Sequence, residues 1–235
     1  MEILIKIRNK VNRGIYTIIK KVLFKIDPEK VHDSFTNIGY LLGSNFITKK
    51  IIKSLFYYQN KKLEQNIQGI KFKNPVGLAA GFDKDANLTQ IIPNVGFGFE
   101  EIGSITALPY EGNPKPRLIR LKKSKGLVVN YGLKSKGAEY MSKKLKKLKF
   151  KIPIGISIAK TNNLKTTKVK NAINDYAKCY NGLKEFGNYI TINISCPNLC
   201  GQNPIEEAKN LDSLLSKLII DKPIFLKISP DLHNK

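Results

Sequence analysis

The stretch that decides the fold reads Ile190-Thr-Ile-Asn-Ile-Ser-Cys-Pro-Asn198. Its isoleucines occupy every second position, and β-branched apolar residues at this spacing are typical of a buried strand. Pro197 ends the strand because proline has no backbone N–H for the next ladder bond. The strand runs directly into four polar residues: Asn193, Ser195, Cys196 and Asn198. A packed core does not need four polar groups at one strand end, so this cluster predicts a site that holds a planar, polar ring against a base.

The same pattern recurs in four other segments, each an apolar strand with polar side chains within it or at its C-terminal end: 75–84, 99–104, 152–160 and 223–229. Apolar spacing predicts helices between strands, over 134–148, 167–186 and 205–220. Strands that alternate with helices predict a parallel sheet, and polar residues at successive strand C-termini are typical of a (β/α)8 barrel. A doubly wound sheet is the alternative, but the sequence contains neither G-x-G-x-x-G nor a P-loop.

The length of 235 residues limits how much of a barrel the chain can form. A complete (β/α)8 barrel takes about 250 residues. We predict an N-terminal helical region over residues 1–65 and a partial barrel of about five βα units over 66–235. We therefore expect a truncated protein that lacks a C-terminal segment, has unpaired strand edges, and is inactive as this chain alone.

The formal charge of +23 is carried almost entirely by lysine, since only four of the 41 basic residues are arginine: Arg8, Arg13, Arg117 and Arg120. Nucleic-acid sites favour arginine for bidentate contacts. The composition therefore indicates a generally basic, solvated surface and no nucleic-acid partner. Such a surface attracts anionic substrates and anionic membrane lipid.

The three cysteines are Cys179, Cys196 and Cys200, an odd number without the paired spacing of a disulfide framework. This usage indicates a reducing compartment. The spacing of Cys196 and Cys200, with no histidine nearby, is a poor zinc pattern, so we expect no metal site.

The N-terminal region interleaves apolar and basic residues. Ile3, Ile7, Val11 and Ile15 are spaced four residues apart, with basic residues between them. No run reaches the roughly 18 apolar residues of a spanning helix. A basic amphipathic helix suits a membrane surface, and a helix packed on the barrel is the alternative that the sequence leaves open. A second helix is predicted to begin after Asp27, which is suited to the N-cap, with a proline following it.

Six segments, taken in order, resemble dihydroorotate dehydrogenases of the quinone-dependent, membrane-associated class: 23–32, 74–85, 101–106, 112–117, 193–198 and 227–231. The resemblance implies a barrel that binds flavin mononucleotide (FMN) and oxidises dihydroorotate to orotate in pyrimidine synthesis. It implies that electrons pass to a membrane quinone, which enters between two N-terminal helices. It also implies a peripheral protein on the cytoplasmic side of the membrane.

The resemblance assigns roles residue by residue. It implies that Cys196 is the catalytic base. The residues that it implies for the cofactor are Ala80, Gly81, Phe82, Asp83, Lys84, Ser104, Ser157, Asn193 and Lys227. The residues that it implies for the substrate are Lys84, Asn130, Leu133, Asn193 and Asn198.

The chain departs from the quinone class at several of these positions. The quinone class usually has serine at the position of Cys196, whereas cysteine is typical of the soluble class of the family. Leu133 also resembles the residue of the soluble class. Val129 occupies a position where the family has asparagine, and Asn130 is the next residue. Ser157 occupies a position where an asparagine usually contacts the flavin. Two other readings remain open: a flavin-dependent dihydrouridine synthase acting on transfer RNA, and a non-catalytic fragment.

Overall fold

The computed structural model describes residues 2–230, so the last five residues of the predicted barrel region lie outside the described part of the chain. The helices are α1 (Glu2–Leu23), α2 (Pro28–Ser44), α3 (Phe46–Phe56), α4 (Ile92–Val95), α5 (Ala138–Leu145), α6 (Val169–Leu183) and α7 (Ala208–Leu215). The strands are β1 (Gln65–Ile67), β2 (Ile70–Phe72), β3 (Gly77–Leu78), β4 (Phe99–Ile105), β5 (Leu118–Leu121), β6 (Gly126–Val129), β7 (Ile154–Ile158), β8 (Tyr189–Asn193) and β9 (Ile224–Lys227).

The central sheet has five strands in the order β3-β4-β7-β8-β9, and every neighbouring pair is parallel. These are the five strands predicted from the sequence, and their spatial order follows the chain. Such an order, with α5, α6 and α7 in the connections, is that of consecutive units of a (β/α)8 barrel. The predicted partial barrel is thus confirmed, with β3 and β9 as the outer strands of the described sheet.

The core lies between this sheet and the helices that cover it. Ile102, Ile156 and Ile190 from three adjacent strands are completely buried, and they belong to one cluster with Tyr176 and Leu183 of α6. Isoleucine suits such strands because its branched side chain fills the space above a pleated sheet. This packing fixes the strand ends, and with them the polar residues that follow.

Two antiparallel hairpins, β1–β2 and β5–β6, were not among the predicted strands. The second has the sequence Leu118-Ile-Arg-Leu-Lys-Lys-Ser-Lys-Gly-Leu-Val-Val129, in which lysines separate two short apolar runs. Each strand is only four residues long, so its periodicity is too weak to detect. The predicted boundary between residues 65 and 66 falls at the start of the first hairpin.

The N-terminal region is helical from residue 2 to residue 56, as predicted. The Arg8 guanidinium donates to the carbonyl oxygens of Ser54 and Tyr57, at 3.2 and 3.1 Å, which holds α1 against the end of α3. Asp27 caps α2 by accepting from the amide of Lys30 at 2.9 Å. Within residues 2–230, no helix combines the length and apolar character needed to cross a bilayer.

Candidate active site

A cavity of about 350 Å³ opens at the C-terminal ends of the parallel strands. It is lined by Ala80, Gly81, Lys84, Gly103, Ser104, Val129, Tyr131, Gly132, Leu133, Lys134, Asn193, Ser195, Cys196, Pro197, Asn198 and Lys227. The lining therefore combines small residues, two asparagines, three lysines and a thiol. It contains nine residues that the sequence predicted as site residues: Ala80, Gly81, Lys84, Ser104, Leu133, Asn193, Cys196, Asn198 and Lys227.

A chain of hydrogen bonds crosses one side of this cavity. Ser157 Oγ and Ser104 Oγ are 2.8 Å apart, and Asn193 Nδ2 donates to Ser104 Oγ at 2.8 Å. Asn193 Oδ1 accepts from the amide and hydroxyl of Ser195, at 3.0 and 2.9 Å. Lys227 Nζ then donates to Ser195 Oγ at 3.1 Å. Four strands, β7, β4, β8 and β9, are thus linked through polar side chains whose positions are fixed.

Gly103 allows the backbone to approach closely at the centre of the site. It has a φ of +106°, and a Cβ at this position would lie 2.6 Å from the carbonyl oxygen of Ser157. The carbonyl of Gly103 accepts from the amide of Gly81 at 2.7 Å, which fixes the loop after β3 beside the end of β4. A side chain at position 103 would separate these elements.

Lys84 and Tyr131 also line this cavity and lie against each other. Lys84 Nζ lies 3.6 Å from the centroid of the Tyr131 ring, a cation–π distance. Burial lowers the pKa of Lys84 to about 8. Burial also raises the pKa of Tyr131 to about 12, and its hydroxyl is buried with no hydrogen-bond partner among the described residues. Lys84 therefore loses its positive charge as the pH rises through about 8.

Cys196 also lines this cavity, on the loop after β8. Burial raises the pKa of its thiol, and the amide of Asn198, Lys227 and Lys160 act in the opposite direction. A thiol in this environment needs nearby positive charge before it can act as a base near neutral pH.

Two further asparagines, to which the sequence analysis assigned no role, join the loops around the cavity: Asn113 and Asn162. Asn113 Nδ2 donates to Asn130 Oδ1 at 2.8 Å and to the carbonyl of Asn198 at 3.2 Å. Asn162 Nδ2 donates to the carbonyl of Gly132 at 3.0 Å, and Asn162 Oδ1 accepts from the amide of Cys200 at 2.6 Å. Their role in joining these loops is seen only from their hydrogen-bond partners in the structure, because the loops are far apart in sequence.

Four predicted site residues lie outside the lining of the cavity: Phe82, Asp83, Asn130 and Ser157. Asn130 is exposed, and its side-chain oxygen is held by Asn113. Ser157 is completely buried and reaches the cavity only through Ser104. Val129, which we did not assign a role, is in the lining, and its carbonyl accepts from Asn198 Nδ2 at 2.7 Å.

The side chains of Phe82 and Asp83 contact other parts of the protein, and their expected contact with a flavin stays a prediction. The Asp83 carboxylate is buried and accepts from the amides of Asn87 and Leu88, at 2.8 and 2.6 Å, so it shapes its own loop. The Phe82 ring packs edge-on against His32 of α2, and His32 Nε2 donates to the Phe82 carbonyl at 2.7 Å. Both residues position the loop that carries Lys84.

A second cavity of about 370 Å³ adjoins the first on the side of α2. Lys84, Tyr131 and Lys134 line both cavities, and His32 and Thr36 of α2 line the second. Among residues 2–230, no group of three histidine, cysteine or acidic side chains is arranged to hold a metal ion.

Comparison with known proteins gives consistent matches. The family model for dihydroorotate dehydrogenase matches residues 62–235. The protein named dihydroorotate dehydrogenase (quinone) from Sulfurovum sp. is 39% identical over 231 residues, which cover 94% of this chain and 62% of that relative. The protein of the same name from Mannheimia succiniciproducens is 37% identical over 228 residues, which cover 92% of this chain and 66% of that relative.

The solved structure of ligand-free DHODH from Eimeria tenella aligns with a TM-score of 0.73 at 29% identity, covering 88% of this chain and 63% of that one. Its complex with ferulenol gives a TM-score of 0.72. The chain therefore spans about three fifths of the length of the proteins it matches. It belongs to the dihydroorotate dehydrogenase family.

Proposed function

We propose that the protein acts as a dihydroorotate dehydrogenase that uses FMN and a membrane quinone to oxidise dihydroorotate to orotate in pyrimidine synthesis. The observation that carries the proposal is the arrangement around the cavity. Hydrogen-bonded Ser104, Asn193 and Lys227 lie on one side, and Lys84 and Cys196 complete a site that suits a polar ring and an anionic pyrimidine.

The lining fits a flavin ring. Gly81 has a φ of +101°, and a Cβ there would meet no atom within 4 Å, so the backbone presents open space to a flat group. Lys227 retains donor capacity beyond its bond to Ser195, and a lysine beside a flavin stabilises negative charge on the reduced ring. When bound, FMN would supply the two-electron acceptor that these side chains cannot provide.

Three other lining residues suit the substrate: Lys84, Asn198 and Cys196. The Lys84 ammonium would bind the dihydroorotate carboxylate by a charge-assisted hydrogen bond. Asn198 uses its Nδ2 to hold the Val129 carbonyl, which leaves its side-chain oxygen to accept from a pyrimidine N–H. Cys196, as the thiolate, would take the C5 proton of dihydroorotate and become a thiol.

The second cavity supports a quinone as electron acceptor. It adjoins the first at Lys84 and Tyr131, and α2 forms its outer wall. A quinone head group bound there would lie next to the flavin site without displacing substrate. The assignment of this cavity to quinone rests on its position and on the family to which the chain belongs.

The surface of α1 supports peripheral attachment to a membrane, which we assign to its cytoplasmic side. Six apolar residues follow each other at intervals of three or four positions and form one stripe along the helix, each at least half exposed: Leu4, Ile7, Val11, Ile15, Ile18 and Val22. We call this set the α1 stripe. Basic residues such as Lys6, Lys10 and Arg13 flank it, as expected of a helix that lies in an anionic bilayer surface.

The test is to purify the chain completed with a C-terminal barrel segment, measure binding of FMN and of orotate by titration calorimetry, and then assay dihydroorotate oxidation with a soluble quinone. The proposal expects both ligands to bind, and binding of both to weaken in an Asn193→Ala variant, because Asn193 is bonded to both Ser104 and Ser195. A folded, completed protein that binds neither FMN nor orotate would contradict the proposal and would favour a non-catalytic fragment.

A further inference from the structure

Lys84 is held in the cavity by an aromatic ring instead of an ion pair. Its ammonium lies 3.6 Å from the centroid of the Tyr131 ring, and both side chains line the two adjoining cavities. Among residues 2–230, this ammonium makes no hydrogen bond and no ion pair. The face of an aromatic ring attracts a cation and leaves donors of the ammonium free for another partner.

The acidic groups near Lys84 do not take up these donors. Each acidic side chain whose charge acts on Lys84 already contacts a basic partner: Asp33 with His32, Asp85 with Lys136, and Glu29 with Arg117. Glu29 and Asp33 lie on α2, and Asp85 lies on the loop that carries Lys84. Lys134, on the loop after β6, is the basic group that opposes the charge of Lys84.

The Tyr131 ring is itself held by its neighbours. The guanidinium carbon of Arg117 lies 5.4 Å from the ring centroid. Arg117 is fixed in turn by its buried ion pair with Glu29 and by a bond to the carbonyl of Glu111 at 2.7 Å. The Tyr131 carbonyl accepts from the amide of Asn113 at 3.1 Å. Because its ring and its backbone are both anchored, Tyr131 can define the position of a cation placed against it.

The hydroxyl of Tyr131 does not contribute to this arrangement. It is buried and has no hydrogen-bond partner among the described residues. A buried hydroxyl without a partner loses its hydration and gains no bond in exchange. The ring is therefore the part of the side chain that acts on Lys84, and phenylalanine at this position should preserve its effect.

We propose that Tyr131 is a positioning residue for substrate binding, whose ring holds the charged ammonium of Lys84 in the cavity with donors free for a carboxylate. This inference deepens the proposed function and rests on it for the identity of the anionic ligand. The ring does not touch the reacting atoms and acts through Lys84 alone.

The test changes the electrons of the ring and keeps its shape. Tyr131 is replaced by phenylalanine, and in a second variant by a trifluorophenylalanine with fluorines at the meta and para positions, which weaken the attraction for a cation. Trace acetylation of the full chain over a pH series, with the peptide that contains Lys84 quantified by mass spectrometry, gives the titration midpoint of its amine. The midpoint should stay near the wild-type value in Tyr131→Phe and fall by about one pH unit in the fluorinated variant.

The matched control places the same trifluorophenylalanine at Tyr140. This tyrosine is exposed, lies 4.8 Å from the ammonium of Lys136 by its ring centroid, and lines neither cavity. It should leave the Lys84 midpoint unchanged. Only variants whose circular dichroism shows a folded chain are compared, and a difluorophenylalanine replaces the trifluoro residue at position 131 if that variant does not fold. Equal midpoints in the folded phenylalanine and fluorinated variants would overturn the proposal.

Ligand binding gives a second readout in the protein completed with a C-terminal barrel segment. At pH 8 the fluorinated Tyr131 variant should bind orotate about fivefold more weakly than Tyr131→Phe, because fewer of its Lys84 side chains carry the proton that binds a carboxylate. Uracil, which lacks the carboxylate, should bind both variants equally. Equal losses for the two ligands would show that the ring only fills space and would overturn the proposal.

The two readouts separate this inference from the function on which it rests. The acetylation assay needs neither flavin nor orotate, so unchanged midpoints contradict the role of Tyr131 alone. A completed protein that does not bind orotate contradicts the proposed function.

Discussion

The ammonium of Lys84 lies 3.6 Å from the centroid of the Tyr131 ring, at the boundary between the two cavities. The ring favours the charged form of the lysine, whereas burial favours the neutral form. Burial prevails, and the pKa of Lys84 falls to about 8. The positive charge available to an anionic ligand is therefore present below pH 8 and is lost above it.

Orotate binding should follow this titration. We expect the affinity to be constant below about pH 7 and to fall towards tenfold per pH unit above about pH 8, because the carboxylate then binds only by restoring the Lys84 proton. Calorimetric titration from pH 6 to 10 measures this. Lys84→Met should bind weakly at every pH. The exposed Lys143→Met variant should retain the wild-type profile, and a flat wild-type profile would exclude Lys84 as the carboxylate partner.

Loss of the Cys196 thiol should slow proton removal without abolishing orotate binding. In the protein completed with a C-terminal barrel segment, we expect Cys196→Ala to slow flavin reduction by about 100- to 10,000-fold in single-turnover experiments, the usual contribution of a general base. Cys196→Ser should shift the pH optimum upward, because a hydroxyl loses its proton less readily than a thiol. Cys200→Ala is the control and should reduce the flavin at the wild-type rate. An unchanged rate in Cys196→Ala would remove this residue from the mechanism.

The parts of the site that could be predicted from the sequence are those built by single strands. The run from Asn193 to Asn198 contains both the apolar alternation and the polar strand end, so strand and site residues could be found together. Asn113 and Asn162 could not be found in this way, because they act through the carbonyls of Gly132 and Asn198, which are distant in sequence.

The burial of Asp83 escaped prediction for a different reason. An aspartate that follows a strand can contact a ligand, or it can accept hydrogen bonds from the backbone amides of its own loop. The sequence does not distinguish these two roles. The structure shows that the carboxylate accepts from the amides of Asn87 and Leu88. The short strands of the β5–β6 hairpin were missed because four residues give too little periodicity.

A buried ion pair joins α2 to the loop before β5, and breaking it should destabilise the fold. Glu29 and Arg117 are each less than a tenth exposed, and two hydrogen bonds connect their side chains. Glu29→Ala leaves the guanidinium buried without its partner, so we expect the free energy of unfolding to fall by about 3 kcal/mol. Urea denaturation followed by circular dichroism measures it. Glu139→Ala, which removes an exposed pair with Lys143, should cause no measurable change.

Glu100 should make the protein less stable as the pH rises. Its carboxyl is completely buried beside Asp83, and burial together with the negative charge of Asp83 raises its pKa to about 9. The folded protein therefore retains a proton that the unfolded chain releases above about pH 4. The free energy of unfolding should decrease between about pH 5 and pH 9, by up to about 1 kcal/mol per unit. Glu100→Gln should flatten this slope, and equal slopes in both proteins would show that Glu100 is ionised when folded.

The α1 stripe should determine attachment to membranes. Replacing Ile7 and Ile18 by glutamine removes one exposed apolar side chain from each half of the stripe. Because each buried isoleucine contributes about 1.5–3 kcal/mol, the double variant should partition onto anionic vesicles at least about tenfold less than the wild type. Added salt should weaken wild-type binding, since the flanking lysines and arginines contribute by charge.

The matched control for the stripe replaces Leu164 and Ile219 by glutamine, because these aliphatic residues of the barrel region are at least as exposed as Ile7 and Ile18. It should pellet with anionic vesicles as the wild type does. Co-sedimentation with anionic and with neutral vesicles measures both pairs. If the stripe variant and the control pelleted equally, the exposed apolar residues of α1 would have no special role, and the stripe would not be the membrane surface of this protein.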